Sequence, residues 1–400
     1  MPTKSVDVLI VGAGVVGLAI GNALLDLKPG ISVKILEKES HLGKHASGRN
    51  SGVLHAGFYY SPDSLKARFC RDGNAELKTL CRQHGIPVAE VGKVVVARDR
   101  AEDARLDDLF TKGQANGVEV ELLAASDLTK YEPLAVTTNR FLWSPKTAIS
   151  DSNLVLTALQ QNFVAKGGVI STNNSAQLVN NANEISVSGE SAKLIVNASG
   201  AQSDRIARDL GLAKQYAMLP FMGIYRSVSA DLLPVTRLVY PVPHPINPFL
   251  GVHFTLTLDG KVKIGPTAIP ILGREQYSLT AGWSAADIGQ ATVAALALVK
   301  GEAHSVWEIL KSELPKLNQR SLVKAASTLV PAALTVAKWQ RKPPGIRAQL
   351  VDKRTGKLEQ DFVVEQLHNS IHVLNAVSPG WTSALPFGRW IAEQKLLPLL

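Results

Sequence analysis

The chain opens with an apolar run, Val6 to Val11, followed by a glycine-rich break and then apolar residues from Val15 to Leu27. A second short apolar run spans Ser32 to Leu36. Short continuous runs bounded by turn residues read as buried strands and the longer one between them as a helix, so the first forty residues predict a β-α-β unit. Further along, the pattern predicts helices over Ser64 to Gln83 and Ala101 to Asn116, a strand over Lys93 to Arg98 and a breaker at Tyr131-Glu132-Pro133-Leu134. An apolar strand within Leu194 to Asp204 ends in Ser199-Gly200. Val239 to Phe254 alternates with prolines and Lys261 to Ile264 resumes the pattern, which suits an antiparallel sheet. Trp283 to Val299 and Val306 to Leu317 read as helices on the outer side of that sheet. The expected fold class is therefore α/β, α+β overall, with a Rossmann-like domain interleaved with an antiparallel-sheet domain. No internal repeat or low-complexity tract interrupts it.

The break between first strand and helix reads Gly12-Ala13-Gly14-Val15-Val16-Gly17. Gly12 permits the tight turn, Gly14 lets a pyrophosphate approach the backbone, and Gly17 lets the helix pack close to the sheet. The helix N-terminus then offers free N–H groups and a positive dipole end to phosphate. Glu37, with Lys38 beside it, ends the second strand where a carboxylate accepts both hydroxyls of an adenosine ribose, and an acid there disfavours NADP. A signal peptide or membrane span fits the apolar N-terminus poorly, because Asp7, Asn22 and several glycines fall inside it. The stretch His41 to Gly57 is too polar for a helix and too long for an ordinary connection. It reads as a second loop touching a large cofactor, with Ser47, Arg49, Asn50 and Ser51 supplying donors.

Composition narrows the class. Of 400 residues, 46% are hydrophobic and 19% charged, which describes an ordered globule with a large core rather than a disordered chain. Cys70 and Cys81 fall on one predicted helix about 16 Å apart, beyond disulfide reach, and read as free thiols of a reducing, cytoplasmic compartment. The net charge of +9 is spread thinly, without a basic block. That pattern points to a small anionic ligand instead of nucleic acid, with at most a peripheral attraction to the inner face of an anionic membrane. No metal site is assigned.

The chain resembles the flavin-dependent D-amino-acid-oxidase superfamily and, within it, the L-2-hydroxyglutarate dehydrogenase or oxidase family. The carrying residues are Gly12 to Gly17 with Glu37, GRNSGVLHAGFYYSPDSLKARFC at Gly48 to Cys70, and HGIPVAEVGKVVVA at His84 to Ala97. YPVPHPINPFLGVHFT at Tyr240 to Thr255, IGPTAI at Ile264 to Ile269, GIRAQL at Gly345 to Leu350 and HVLNAVSP at His372 to Pro379 complete the set. The resemblance implies FAD, bound covalently or not, and a two-domain fold in which the sheet roofs the flavin. It divides the chain into an FAD-binding domain of residues 1–88, 148–214 and 342–400 and a substrate-binding domain of residues 89–147 and 215–341. It also implies oxidation of an L-2-hydroxy acid, by default L-2-hydroxyglutarate, to the 2-oxo acid, with oxygen or a quinone as electron acceptor. Amine or amino-acid oxidation, or a redox partner without its own substrate, are the alternatives. The chain departs from the family pattern at Met222, usually Arg, at Thr267, usually Asn, and at Gly380-Trp381 in the C-terminal loop, changes expected to reshape the substrate pocket.

Oxidising a secondary alcohol with a flavin requires a hydride acceptor, a base for the hydroxyl proton and a cation that holds the carboxylate. A neutral imidazole suits the base near pH 7. Of the nine histidines, His253 on the roof strand and His55 in the cofactor loop are the best placed, whereas His84, His304 and His368 read as surface residues. His55 is open to flavin contact, covalent attachment or a loop role. Arg347, which follows Pro343-Pro344-Gly345, is the first candidate for bidentate carboxylate binding. Tyr59, Tyr60 and Lys66 are expected to close the pocket with Thr267. Ser378, Gly380 and Thr382 are expected at the start of a C-terminal helix whose N-terminus faces the flavin, and Trp381 is either pocket wall or packing between domains.

Overall fold

The computed structural model describes residues 5–181, 184–187, 189–244, 249–278 and 280–400. Met1 to Lys4 and residues 245–248 of the proline-rich motif lie outside the described residues. The opening β-α-β forms as expected, with strands Val6–Val11 and Val33–Leu36 flanking the helix Val15–Leu27. They belong to a six-stranded sheet in the order Val363–Leu367, Ser370–Asn375, Ala192–Asn197, Val6–Val11, Val33–Leu36, Val169–Ser171. Its strands are parallel except for the edge strand Val363–Leu367. Because both faces are covered, its central strands carry runs of consecutive buried apolar residues, as at Val8 to Val11 and Leu194 to Val196. Val8 and Ile10 enter one buried cluster with Leu18 and Phe387, while Leu9 enters another with Leu36 and Ile195.

The second large sheet has eight strands, in the order Gln340–Arg341, Arg226–Ser229, Lys261–Gly265, His253–Leu256, Leu238–Pro241, Lys93–Val96, Arg140–Ser144, Glu121–Ala124. It is not wholly antiparallel: Leu238–Pro241 pairs in parallel with Lys93–Val96. That pairing brings the strand of Lys93 beside the strand of Tyr240, two segments far apart in sequence. A separate four-stranded antiparallel sheet holds Ile269–Pro270, Tyr216–Gly223, Gly345–Asp352 and Lys357–Leu358, with Arg347 opposite Phe221. Within Val239 to Phe254 the described residues form the strand Leu238–Pro241 and the start of His253–Leu256, which pair antiparallel as expected.

The two helices expected beyond Trp283 form within Ala285–Glu313, joined through a kink where Glu302 leaves helical geometry, and a tight turn of helix at Leu314–Leu317 follows. The apolar pattern lapses at Gly301-Glu302, and Gly301 sits against Gly356, where a Cβ would lie 2.6 Å from the Gly356 Cα. The break therefore marks a close backbone crossing instead of a loop. Cys70 and Cys81 are both buried free thiols. The helix Leu65–Gln83 is capped by Ser64, whose hydroxyl accepts from Ala67 N–H at 3.1 Å.

The same helix lies so close to the 378–383 turn that a Cβ on Gly73 would sit 2.0 Å from the Thr382 carbonyl oxygen. Gly73→Ala is expected to lower the urea midpoint by about 1–3 kcal/mol of stability, because backbone has to move. Gly289→Ala, at an exposed helical position with nothing within 4 Å of the added Cβ, should leave stability unchanged or raise it. Equilibrium unfolding of the two variants side by side checks the contrast.

Candidate functional site

A cavity of about 870 Å³ connects the glycine turn with the second and third sheets. At the turn, Gly12 adopts φ +102° and a Cβ there would lie 2.6 Å from the Ala198 carbonyl, so only glycine fits. Gly17 stands behind the cavity: its Cβ would meet the Gly12 carbonyl at 2.0 Å, so its role is the close approach of helix to turn. One oxygen of Glu37 accepts from Ala13 N–H at 2.9 Å and the other from Glu39 N–H at 3.0 Å. Ser47 Oγ accepts from Val15 N–H at 2.9 Å, tying the loop to the helix start. The first turn of that helix carries no acidic side chain, which leaves its positive end to an anion.

The remaining loop residues line the cavity while holding the loop in shape. Arg49 donates to the Lys44 carbonyl at 2.7 Å and the Pro344 carbonyl at 3.3 Å, with its guanidinium 4.0 Å from the Tyr277 ring centroid. Asn50 donates to the Ser47 carbonyl at 2.7 Å and accepts from Gly52 N–H at 2.9 Å. The Ser51 carbonyl accepts from Lys263 Nζ at 3.2 Å. Lys38 Nζ pairs with Glu275 at 2.5 Å and Glu39 at 3.1 Å. Glu39, His45 and Glu275 bring ligand atoms within 4.8 Å of one another, but Lys38 and Lys44 already neutralise those carboxylates. Ser199, Gly200, Ser378, Gly380, Trp381 and Thr382 also line the cavity. Thr382 Oγ1 donates to the Val53 carbonyl and accepts from His55 N–H, both at 3.2 Å.

At the other end stand His253, His55, Tyr225, Tyr240, Leu250 and Arg347. His253 is 4% exposed and stacks on Tyr240 with ring centroids 3.8 Å apart. Its Nδ1 lies 2.9 Å from the Gly251 carbonyl, a pure acceptor, so Nδ1 carries the proton and Nε2 is a free lone pair. Burial pushes His253 well below 6.5, with Arg347, Lys93 and Lys263 acting in the same direction and the Gly251 carbonyl against it. His55 is pushed the same way by burial, then by Lys93, His253 and Arg347. Both imidazoles are therefore neutral at pH 7. Arg347 has no carboxylate partner among the described residues; its guanidinium sits 5.4 Å from the Phe249 ring centroid. Of the carboxylates on the cavity wall, Glu37 follows the second strand, Asp209 ends the helix Ser203–Asp209, and Glu275, beyond the strand Ile269–Pro270, is paired with Lys38.

Several expectations are corrected. Tyr59, Lys66 and Thr267 do not line the cavity. The Tyr59 ring packs against Phe58 at 4.1 Å between centroids. Lys66 is buried in the helix Leu65–Gln83, beside the Asp361 carboxylate that caps the helix start, and burial brings it to about 8. Thr267 Oγ1 donates to the Met222 carbonyl and accepts from Ile224 N–H, both at 3.0 Å, which staples a turn. Met222 is buried with Ile271 and Ile346, so its effect on the cavity passes through Ile346. The C-terminal helix starts at Ala384 rather than Gly380, and Ser383 offers no side-chain cap. Trp381 both lines the cavity and packs against the first core. Residues 174–179, Arg205, Tyr225, Tyr240 and the buried Lys93 were not singled out as site residues from sequence. Residues 174–179, Arg205 and Tyr225 have no quoted motif around them, Tyr240 opens a motif whose histidine drew the attention, and Lys93 reads as one charge in an apolar strand.

The protein-family model described as FAD dependent oxidoreductase matches residues 7–394. The chain belongs to the FAD-dependent oxidoreductase family. The L-2-hydroxyglutarate dehydrogenase of Salmonella houtenae is 36% identical, covering 97% of this chain and 92% of its own. The human mitochondrial L-2-hydroxyglutarate dehydrogenase is 35% identical, covering 98% of this chain and 89% of its own. Among solved structures, the dithionite-reduced L-alpha-glycerophosphate oxidase of Mycoplasma pneumoniae with FAD bound superposes with a TM-score of 0.76 at 23% identity, covering 99% of this chain and 95% of that one. Glycine oxidase from Geobacillus kaustophilus gives 0.71 at 20% identity, with 99% and 98% covered. At those identities the shared property is the fold. The residues present suit FAD: the turn at Gly12 and Gly14 admits a pyrophosphate, and Trp381 Nε1, in the cavity wall, is a buried donor without a partner.

The two depressed imidazoles set a pH dependence. Below about 6.5 the unfolded chain protonates His55 and His253 while the folded chain does not, so stability falls as pH drops from 6.5 toward their folded values. Each contributes a slope approaching about 1.4 kcal/mol per pH unit. Denaturant unfolding between pH 7 and 5 should show a shallower loss in His253→Gln than in the wild type.

Proposed function

We propose that this FAD-dependent oxidoreductase oxidises an L-2-hydroxy acid, L-2-hydroxyglutarate, to 2-oxoglutarate. The observation that carries this reading is the cationic, carboxylate-free end of the cavity, where an unpaired Arg347 and a neutral His253 stand on one wall system with Tyr225 and Tyr240. The curated relatives at 33–36% identity bear the name of that activity. FAD, when bound, supplies the two-electron acceptor for the hydrogen on the carbinol carbon. Arg347 holds the substrate carboxylate in bidentate fashion, fixing which face of that carbon is presented. His253 takes the hydroxyl proton on Nε2, and its Nδ1–H bond to Gly251 keeps the ring from turning away. Tyr240, stacked against His253, holds the ring flat and excludes water.

For reoxidation we propose a quinone, in place of oxygen, reached through peripheral contact with an anionic membrane. No helix among the described residues is long and apolar enough to cross a membrane. The helix Ala285–Glu313 nevertheless exposes Val293, Leu296 and Lys300 before its break and Trp307 and Lys311 after it, with Trp307 59% and Leu296 63% exposed. Exposed aromatic and aliphatic side chains beside lysines suit an anionic lipid surface.

Anaerobic addition of L-2-hydroxyglutarate should bleach the flavin absorbance, and the D enantiomer should not; bleaching by an amino acid alone would replace this reading with amine oxidation. Arg347→Lys is expected to raise KM and lower kcat/KM with flavin retained. His253→Gln should slow flavin reduction by about 100-fold or more. The protein should co-sediment with phosphatidylglycerol vesicles but weakly with phosphatidylcholine vesicles, and Leu296→Glu with Trp307→Glu should abolish binding; absence of binding to either vesicle overturns the membrane contact.

A further inference from the structure

Lys93 has no exposure to solvent, and no carboxylate among the described residues pairs with it. Its ammonium is surrounded by the rings of Tyr240, Tyr59 and Phe58, with centroids at 4.2, 5.0 and 5.4 Å. Its one polar side-chain partner among the described residues is Nδ1 of His55, at 3.4 Å. The neighbouring Cys70 thiol is pushed up to about 12 by burial and provides no counter-charge. A lysine kept in so dry a place without an acid is costly, and burial of the strand does not require it, since Val95, the next residue on the same face, is equally buried with Phe58 and Tyr240.

We infer that Lys93 is a positioning residue that donates to His55 Nδ1 and thereby fixes His55 as the Nε2–H tautomer, so that the two imidazoles of the site have opposite polarity. The inference rests on the hydroxy-acid reading above. An ammonium has only donors, so while Lys93 is charged the Nδ1 it meets has to be the lone-pair nitrogen. The three ring faces favour that charged form. His55 then offers an Nε2–H donor, while His253, with Nδ1–H given to Gly251, offers an Nε2 acceptor. A substrate hydroxyl held between them donates its proton to His253 and accepts from His55. During oxidation the hydroxyl proton passes to His253 and the carbonyl oxygen that forms keeps the hydrogen bond from His55, while FAD, when bound, would take up the carbinol hydrogen with its electron pair. His55 neither gains nor loses a proton. Two imidazoles of the same polarity would leave one lone pair facing another across the substrate oxygen.

Nitrogen-15 histidine spectra of the FAD-loaded full chain at pH 6, assigned with His55→Gln, read the tautomer directly. This pH lies below the value of about 7 to which burial brings Lys93. The expected result is pyridine-type Nδ1 and protonated Nε2 for His55. In Lys93→Met the Nδ1–H form should appear, and flavin reduction should slow by about tenfold or more with substrate affinity changed by less than about threefold; Lys93→Arg should restore most of both. A protonated Nδ1 in the wild type, or an unchanged tautomer in Lys93→Met, overturns the inference. If Lys93→Met does not fold, the wild-type spectrum still decides. Because the tautomer is read without substrate, failure of L-2-hydroxyglutarate to reduce the flavin leaves this result standing and removes only the proposed reaction.

Discussion

The glycine turn at residues 12–17 is the constraint on which the rest of the site depends. Two segments converge on it through its backbone donors, Glu37 after the second strand holding Ala13 N–H and Ser47 of the polar loop holding Val15 N–H, while Gly17 packs on the Gly12 carbonyl. None of these contacts tolerates displacement, because a Cβ at Gly12 or Gly17 would overlap backbone atoms. With the turn held, the loop Ser40 to Gly57 has one path across the parallel sheet, and that path sets His55 against Thr382 and Lys93. The polar character of the loop is thus largely internal. Arg49 and Asn50 satisfy loop carbonyls, so the loop is rigid before any cofactor arrives.

The cavity divides its charge in a way that separates two tasks. Around the turn, carboxylates are present and are matched by Lys38, Lys44 and helix N–H groups, an arrangement suited to ribose hydroxyls and phosphates. Around His253 the wall offers cations and hydroxyls without a carboxylate, and burial keeps the imidazoles neutral. An anionic substrate is drawn to the second region by Arg347 and finds a proton acceptor there that is not already protonated. The shared cause is desolvation: it disfavours the charged forms of His55, His253 and Lys93, which leaves the two imidazoles neutral and the Lys93 ammonium dependent on the ring faces around it.

Much of the frame was legible along the chain. The strand and helix from Val6 to Leu27 match the pattern to the residue, because the glycine turn between them and Lys28 after them mark the ends of largely buried apolar runs. Helix ends were legible as well, with Leu27 and Gln83 closing their helices as expected, whereas the kink that joins the two helices of Ala285–Glu313 lies at a close crossing with Gly356 that local periodicity does not register. For the site, His253, His55, Arg347 and the glycine turn stand on the cavity as expected from their motifs. Thr267 and Lys66 do not, because a hydroxyl or ammonium next to a motif is used as readily for a turn or a buried helix face as for a ligand.

By itself, then, the sequence determined the β-α-β opening, the dinucleotide turn with its acid, the alternation of the roof strands, and the family to which the chain belongs, since each is written in residues adjacent or at fixed spacing. Only the tertiary structure decided which side chains share the cavity and in what protonation state. Lys93 shows why: its partners are His55, 38 residues away, and Tyr240, reached through a parallel pairing of distant strands. Burial and hydrogen-bond partners depend on what lies across the sheet, and no local pattern carries that information.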